Sequence, residues 1–242
     1  MKKVAMIVFL SCMILSLAQA TNKEQGSTLN VTAESGLKMR STPSLDGKLI
    51  QVIPFGEAVT VVNSNSENEE QIEWIAGNWI EVEYDGISGY VFDGFLNQLA
   101  TPTYAFERTV DDMDLIYPLM AWAEYRYDDI SAPDTVFNGT VTKLIQPMTS
   151  GTVLKKYDDP YLFKIDVELE NIRVMDAYQL LHSMLNEKYE KVTFKNNSIF
   201  INDNYGQVER IKVNIDNPVE IKKLKNGKVR ITVKSYNEGC SL

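Results

Sequence analysis

Beyond its first twenty residues the chain holds one thiol and one imidazole, Cys240 and His182. A Cys-His nucleophile needs the two groups within hydrogen-bond reach. Cys240 stands three positions from the end of the sequence and reads as part of a tail. His182 falls beside the apolar stripe of an expected helix, so the pair is not expected to meet. A zinc site draws on several His or Cys ligands, which this inventory does not supply. A Ser-His-Asp triad would also have to use His182, and no Gly-x-Ser-x-Gly elbow occurs. Carboxylates are the one abundant catalytic resource: Asp111, Asp112 and Asp114; Asp128 and Asp129; Asp158 and Asp159. Two carboxylates can hydrolyse a glycoside only at a set separation across a cleft. Adjacency in sequence does not provide that, and these acids are expected in solvated loops. No EF-hand spacing and no phosphate-cradling Gly-rich loop is present. The expectation is therefore a non-enzyme with no catalytic residues, no metal and no cofactor. The alternative is a carboxylate-dependent hydrolase with its site in the C-terminal half.

The first twenty residues read as a leader. Lys2 and Lys3 precede an apolar run from Val4 to Leu17, and Ala18-Gln19-Ala20 has the small residues of a cleavage site. The run is shorter than the roughly 20 apolar residues of a spanning helix. A lipoprotein cut before Cys12 is the alternative, and Phe9-Leu10-Ser11 suits it poorly. Cleavage after Ala20 makes the expected location periplasmic or extracellular. It leaves 22 basic against 33 acidic side chains, net −11. That balance disfavours nucleic acid and anionic lipid as non-specific partners. It also leaves Cys240 without an intrachain disulfide partner; an intermolecular bridge stays open.

Residues 21–30 are polar and read as a tether. From Val31 the texture is one of short strands: Leu49 to Ile53, Ala58 to Val62, Trp79 to Tyr84 and Gly89 to Phe92. Gly, Pro, Asp and Asn separate them, which suggests a small barrel or sandwich. Asn63 to Gln71 reads as an acidic exposed loop. Residues 31–100 carry 11 acids against 3 bases. Residues 97–104, with Pro102, read as a linker.

The remainder, residues 105–242, reads as α+β. Pro118 suits a helix start, with Leu115, Leu119 and Trp122 on one side. Tyr161, Phe163, Ile165, Val167 and Leu169 alternate with Leu162, Lys164, Asp166 and Glu168, the pattern of a strand with one buried face. Val174, Ala177, Tyr178, Leu181 and Leu185 recur at helical spacing, giving an amphipathic helix from Arg173 to Lys188. Strands are expected at Val192/Phe194, Ile199 to Ile201 and Ile211 to Ile215. Val219/Ile221 and Val229/Ile231/Val233 flank Asn226-Gly227, which suits a type I′ hairpin turn. Lys222, Lys225, Lys228, Arg230 and Lys234 then form either a solvated, edge-guarding set or a surface for an anionic partner.

Gly36-Leu37-Lys38-Met39-Arg40-Ser41-Thr42-Pro43-Ser44 is a more specific signal. It resembles the opening of bacterial SH3-like domains, with Lys38 and Met39 where Asn and Val are usual. Ile50 to Val61, with Gly56 before an apolar strand, is similar to the next section of that family. Asn78 to Gly86 resembles its Trp-containing strand and tight turn. Gly89-Tyr90-Val91 stands where Gly-Trp-Val is usual, and Phe95-Leu96 closes the unit. The resemblance covers residues 31–98 and implies a small SH3-like β-barrel. An α+β domain with a mostly antiparallel sheet and one main helix would follow after a linker at 99–104.

Such domains are commonly targeting modules on exported bacterial proteins, and several groups bind cell-wall peptides. The resemblance thus implies an envelope protein that binds peptidoglycan or a protein partner. A purely protein-interacting module is a further reading. Trp74, Tyr84, Tyr90 and Phe92 are the candidate ligand contacts, because aromatic rings give large contact area at low entropic cost. The acidic surface would suit a cationic group.

Overall fold

The computed structural model describes residues 23–64, 70–72, 75–100, 114–185, 188–204 and 206–236. Cys240, Trp74, Asp111 and Asp112 lie outside these residues. Each half has a main apolar core, and the first half adds a small cluster of Ile75, Trp79 and Phe92.

The first half is built of β1 (Thr28–Val31), β2 (Leu37–Arg40), β3 (Leu49–Ile53), β4 (Ala58–Asn63), β5 (Glu70–Ile72), β6 (Ile75–Gly77), β7 (Trp79–Tyr84), β8 (Ile87–Phe92) and β9 (Leu96–Asn97). Seven of them make one antiparallel sheet in the order β3-β2-β8-β7-β4-β1-β9; β5 and β6 form a separate hairpin. One residue set, including Leu29, Val31, Met39, Ile53, Val61, Val82, Val91 and Leu96, forms a single cluster. A sheet whose every strand feeds one cluster must curl around it. Two motif glycines have steric reasons. A Cβ on Gly89 would come within 2.5 Å of Met39 on the neighbouring strand. Gly36 has φ +82° and lies against the Ile53 carbonyl. Arg40 closes the Ser41–Lys48 loop by donating from Nη1 to the Gly47 carbonyl at 2.7 Å.

Three expectations for this half change. The tether becomes structure from Lys23 on: Lys23 is buried, and β1 pairs with β4 and β9. The reason is that Leu29 and Val31 fill the core between strands distant in sequence. The acidic loop is shorter than expected, because Glu70 to Ile72 pair as β5, and the Trp79 indole Nε1 donates to Glu70 at 2.9 Å. The linker is anchored at its start, since Asn97 is buried in β9 and Leu99 belongs to the second core.

The second half contains α1 (Ile116–Arg126), β10 (Asp134–Asn138), β11 (Val141–Pro147), β12 (Val153–Asp158), β13 (Leu162–Leu169), α2 (Val174–Ser183), α3 (Lys188–Asn196), β14 (Ser198–Asn202), β15 (Val208–Val213), β16 (Val219–Lys223) and β17 (Val229–Tyr236). The eight strands form one antiparallel sheet, β10-β11-β12-β13-β17-β16-β15-β14. Ile165, Val167, Leu169, Ile211, Val213, Ile221, Ile231 and Val233 share one face with the buried residues of the three helices. Leu115, at the N-cap of α1, and Leu119 and Trp122 within it enter this core, and the Asp114 carboxylate accepts the Ile116 N–H at 2.8 Å.

The opposite face of the sheet is ionic. Glu168, 6% exposed, takes Lys155 at 2.6 Å and Arg230 at 2.5 Å; Asp166 accepts from Thr232 at 2.5 Å. The acids of β13 are thus covered by their own cross-strand partners, where alternation alone had left them open to solvent. Burial works against the ionised Glu168, but Lys155 and Arg230 overcome it and hold its carboxyl below the usual range. Lys228 reaches Glu170 at 2.9 Å and Lys222 reaches Glu220 at 3.4 Å.

The expected long helix is two. Its start is set by Asp176, whose carboxylate accepts the Arg173 backbone N–H at 2.8 Å. Its end tightens to bonds from Met184 N to Leu181 O at 3.1 Å and Leu185 N to His182 O at 3.3 Å. The strand expected at Val192/Phe194 is α3 instead: Glu190 and Phe194, one helical turn apart, are the buried pair. The Asn226-Gly227 turn is also different. Only Gly227 has positive φ, +85°, and Leu224 N bonds Lys228 O at 2.7 Å, closing a three-residue loop with its bulge at the glycine. Because Phe194 is buried and Val192 is 47% exposed, Phe194→Ala is expected to cost about 3–5 kcal/mol. Val192→Ala should stay within about 0.5 kcal/mol. Urea unfolding of the two variants checks this; equal losses would fit a strand and not α3.

Candidate functional site

A cleft of about 570 Å³ opens where the two halves meet. One side comes from the first half: Thr32 to Lys38, Arg40, Phe55, Ile72, Ile75, Trp79, Phe92 and Phe95. The other comes from α2 and α3: Gln179, His182, Ser183, Lys188, Lys191, Val192 and Lys195.

The relative position of the halves is set by a buried polar junction beside the cleft. Lys23 pairs with Asp93, both nearly inaccessible. Asp93 is fixed from behind, its second oxygen accepting the Asn78 N–H at 2.7 Å. From the second half, Arg173 clasps Asp176 at 2.6 and 3.1 Å and points Nη2 toward the Leu96 carbonyl at 3.5 Å. Asn97 donates to the Asp176 carbonyl at 2.8 Å, and Gln179 donates to the Gly94 carbonyl. Burial first, then the nearby Arg173 guanidinium, pulls the Lys23 ammonium below its ordinary range, against the attraction of Asp93. At the cleft mouth Glu34 meets Lys191 at 2.9 Å and His182 Nδ1 at 3.8 Å. Burial lowers the affinity of His182 for a proton, and Lys191 and Lys195 add to this against Glu34.

The candidate aromatics are divided by this geometry. Phe92 lines the cleft, packed edge-on to Trp79 with centroids 6.1 Å apart and 5.8 Å from Phe95. Tyr90 is half-buried against the cluster of Ile75, Trp79 and Phe92, and does not line the cleft. Tyr84 packs on the main barrel core, where partial burial and the carboxylates of Asp85 and Glu57 raise its hydroxyl. Trp74 is outside the described residues; its flanking Ile72 and Ile75 both line the cleft. The acidic surface expected to suit a cation is not what the cleft presents, because its described lining is lysine-rich. The residues that reasoning missed are those of α3, and the signal was Lys188, Lys191 and Lys195 at helical spacing.

Among the carboxylate candidates, Asp114 accepts the Ile116 N–H at the start of α1, and Asp159 accepts the Tyr161 and Leu162 N–H groups at 2.8 Å. Those bonds, the Tyr161 N–H foremost, lower its carboxyl affinity for protons. A second cavity of about 410 Å³ is lined by Glu124, Asp128, Asp129 and Lys156. Glu124 there is paired with Lys156 at 2.8 Å. Among the described residues no group of three His, Cys, Asp or Glu is placed to hold a metal ion, and no helix is long and apolar enough to cross a membrane.

Residues 35–97 match the family model of the bacterial SH3 domain. This segment is a bacterial SH3 domain. The match spans β2 to β9, and β1 with the Lys23 segment completes its sheet from outside the matched range. No curated protein and no solved structure matches the chain. A bacterial SH3 domain is a binding or targeting module, and in this chain its aromatic flank forms one wall of the interdomain cleft.

Two outcomes follow from the junction. Asp93→Asn keeps the acceptor for Asn78 but strands the Lys23 charge, and is expected to cost about 3–5 kcal/mol in urea unfolding. Replacing the pair together, Lys23→Met with Asp93→Leu, should recover most of that loss. Separately, the native state favours neutral His182, so the unfolded chain binds the extra proton first on acidification. His182 stability is therefore full above its ordinary pKa and falls as pH drops through that value toward the lowered one. Between about pH 7.5 and about pH 5.5, His182→Gln should flatten the decline in unfolding midpoint. An unchanged slope would show that His182 does not contribute.

Proposed function

We propose that this is an exported, non-catalytic bacterial envelope protein that binds peptidoglycan or an envelope protein through the cleft between its SH3 domain and its α+β half. The observation that carries this reading is the cleft itself. It joins the aromatic flank of a binding module to a helical wall from a second domain, at a volume typical of ligand sites. The leader of Lys2, Lys3 and the Val4 to Leu17 run supports export. The polar groups of the junction are spent on holding the halves together, which suits a rigid binder. The second cavity, with Glu124, Asp128 and Asp129, supports a second reading, a carboxylate-dependent cell-wall hydrolase.

One experiment separates them. The chain from Thr21 on is incubated with purified insoluble peptidoglycan at low and moderate salt, beside a Val192→Trp variant. Val192 is on the cleft wall and exposed, so the larger ring fills the cleft without entering the core. The expected result is retention of the unaltered chain, loss of retention in the variant, and no soluble sugar or peptide released. Release abolished by Asp128→Asn with Asp129→Asn would favour the hydrolase. A chain that stays in the supernatant throughout removes peptidoglycan as the ligand. Export is checked by N-terminal sequencing of protein from the envelope fraction, which should begin at Thr21.

A further inference from the structure

The face of the large sheet turned away from its helices carries a row of lysines that outnumber the acids they meet. β13 sends Ile165 and Val167 to the core, so Lys164 stands on the opposite face with Asp166 and Glu168. The strand register fixes its neighbours. Tyr157 lies directly opposite Lys164 on one side and Lys234 on the other, and Lys143 lies beyond Tyr157. The row Lys143, Tyr157, Lys164, Lys234 thus crosses β11, β12, β13 and β17 with no carboxylate in it. Lys164 reaches Asp166 on its own strand at 3.4 Å. Among the described residues, Lys143 and Lys234 have no carboxylate within salt-bridge distance. Elsewhere on this face the bases have acids beside them, as Arg230 has Glu168 and Lys222 has Glu220.

Folding alone does not account for this row. Lys164 and Lys234 are directly opposed, an arrangement that destabilises a sheet. The Tyr157 ring has Lys143 Nζ at 5.6 Å and Lys164 Nζ at 5.8 Å from its centroid, and its hydroxyl donates to Asp159. Such contacts position two ammonium groups beside one ring and leave their charge in place. Neighbouring strands are about 4.8 Å apart, so the three bases stand about 10 Å and then about 5 Å apart across the sheet. A linear polyanion matches that spacing. Adjacent strands also twist by roughly 20–25°. A planar lipid surface therefore meets one end of the row, whereas a flexible chain follows it. Two residues along β13 and β17, on the same face, Leu162 lies opposite Tyr236, which is 57% exposed. An aromatic ring beside cations suits the C–H face of a sugar that also carries a carboxylate. We propose that this sheet face binds an acidic polysaccharide, its carboxylates at Lys143, Lys164 and Lys234 and a sugar ring against Tyr236. None of these residues lines the cleft, so the site is separate from it.

The test is biolayer interferometry of the chain from Thr21 on against immobilised polygalacturonate, with the fully methyl-esterified polymer beside it. The acid form should bind, more weakly as salt rises, and the ester should not. Lys143→Glu with Lys234→Glu should weaken binding by about tenfold or more. Lys48→Glu with Lys225→Glu makes the same change in net charge at exposed positions outside the row, and should weaken it by less than about twofold. Lys234→Glu alone should raise the urea midpoint, because it removes the like-charge opposition to Lys164. Its loss of binding is then not a loss of fold. Tyr236→Ala should weaken binding without changing the salt dependence. Val192→Trp should leave it unchanged, which separates this result from the fate of the cleft. Equal binding of the ester would overturn the anionic class, and equal losses in the two lysine pairs would overturn the site. Polyphosphate or a single-stranded oligonucleotide competing at equal charge concentration, with Tyr236→Ala silent, would overturn the polysaccharide assignment in favour of charge alone. No binding of the acid polymer at low salt would overturn the proposal and leave the cleft to its own test.

Discussion

Lys23, Asp93 and Asp176, all nearly inaccessible, share one junction between the halves of the chain with the partly exposed Arg173. Charge in such surroundings is costly unless each group finds its counterpart. Here Asp93 answers Lys23 and Asp176 answers Arg173, and backbone groups of Asn78 and Leu96 take up further hydrogen bonds. The net stabilisation from such an arrangement is small, but its tolerance for misplacement is smaller still. A docking shifted by one helical turn would leave a buried charge unanswered. The junction therefore fixes where α2 and α3 lie against the SH3 domain, and with that it fixes the cleft.

The chain carries two sets of basic residues in different settings. On the outer face of the large sheet, Lys155 and Arg230 neutralise Glu168, Lys228 neutralises Glu170, and Lys222 approaches Glu220. Those acids are met from within the sheet and its connecting loops. In the cleft set, Glu34 is the single carboxylate of the described lining, and it pairs with Lys191. The difference arises from geometry. Neighbouring strands hold Glu168 opposite Arg230 at a fixed spacing, whereas the cleft joins a helix face to a barrel flank with no common register.

The SH3 segment was legible because its signals lie in short stretches of sequence. Arg40 closes its own loop, while Gly36 and Gly89 make room for Ile53 and Met39 on neighbouring strands, so the motif order reported the fold. The strand alternation around Ile165 and Ile231 was legible for the same reason, through period-2 burial. Lys23 was not, because its partner lies 70 residues away, and a lysine in a polar stretch reads as solvated until that partner is known. Phe194 was misassigned to a strand because Val192 and Phe194 also fit a period of 2. Only the burial of Glu190 reveals the period of 4. Of the candidate aromatics Phe92 reached the cleft, while Tyr84 and Tyr90 sit where the barrel's curl turns them from it.

The SH3 sheet completes itself with a strand that precedes its family motif, and its flank is finished by residues that follow it. Gln179 meets the Gly94 carbonyl 85 residues earlier in the chain, and Asn97 meets the Asp176 carbonyl across 79. A chain emerging in order from N-terminus to C-terminus would form the barrel first and expose Asp93 and Gly94 until α2 arrived. During that interval the module would have its fold but no finished cleft, so maturation of the binder is tied to completion of the second domain.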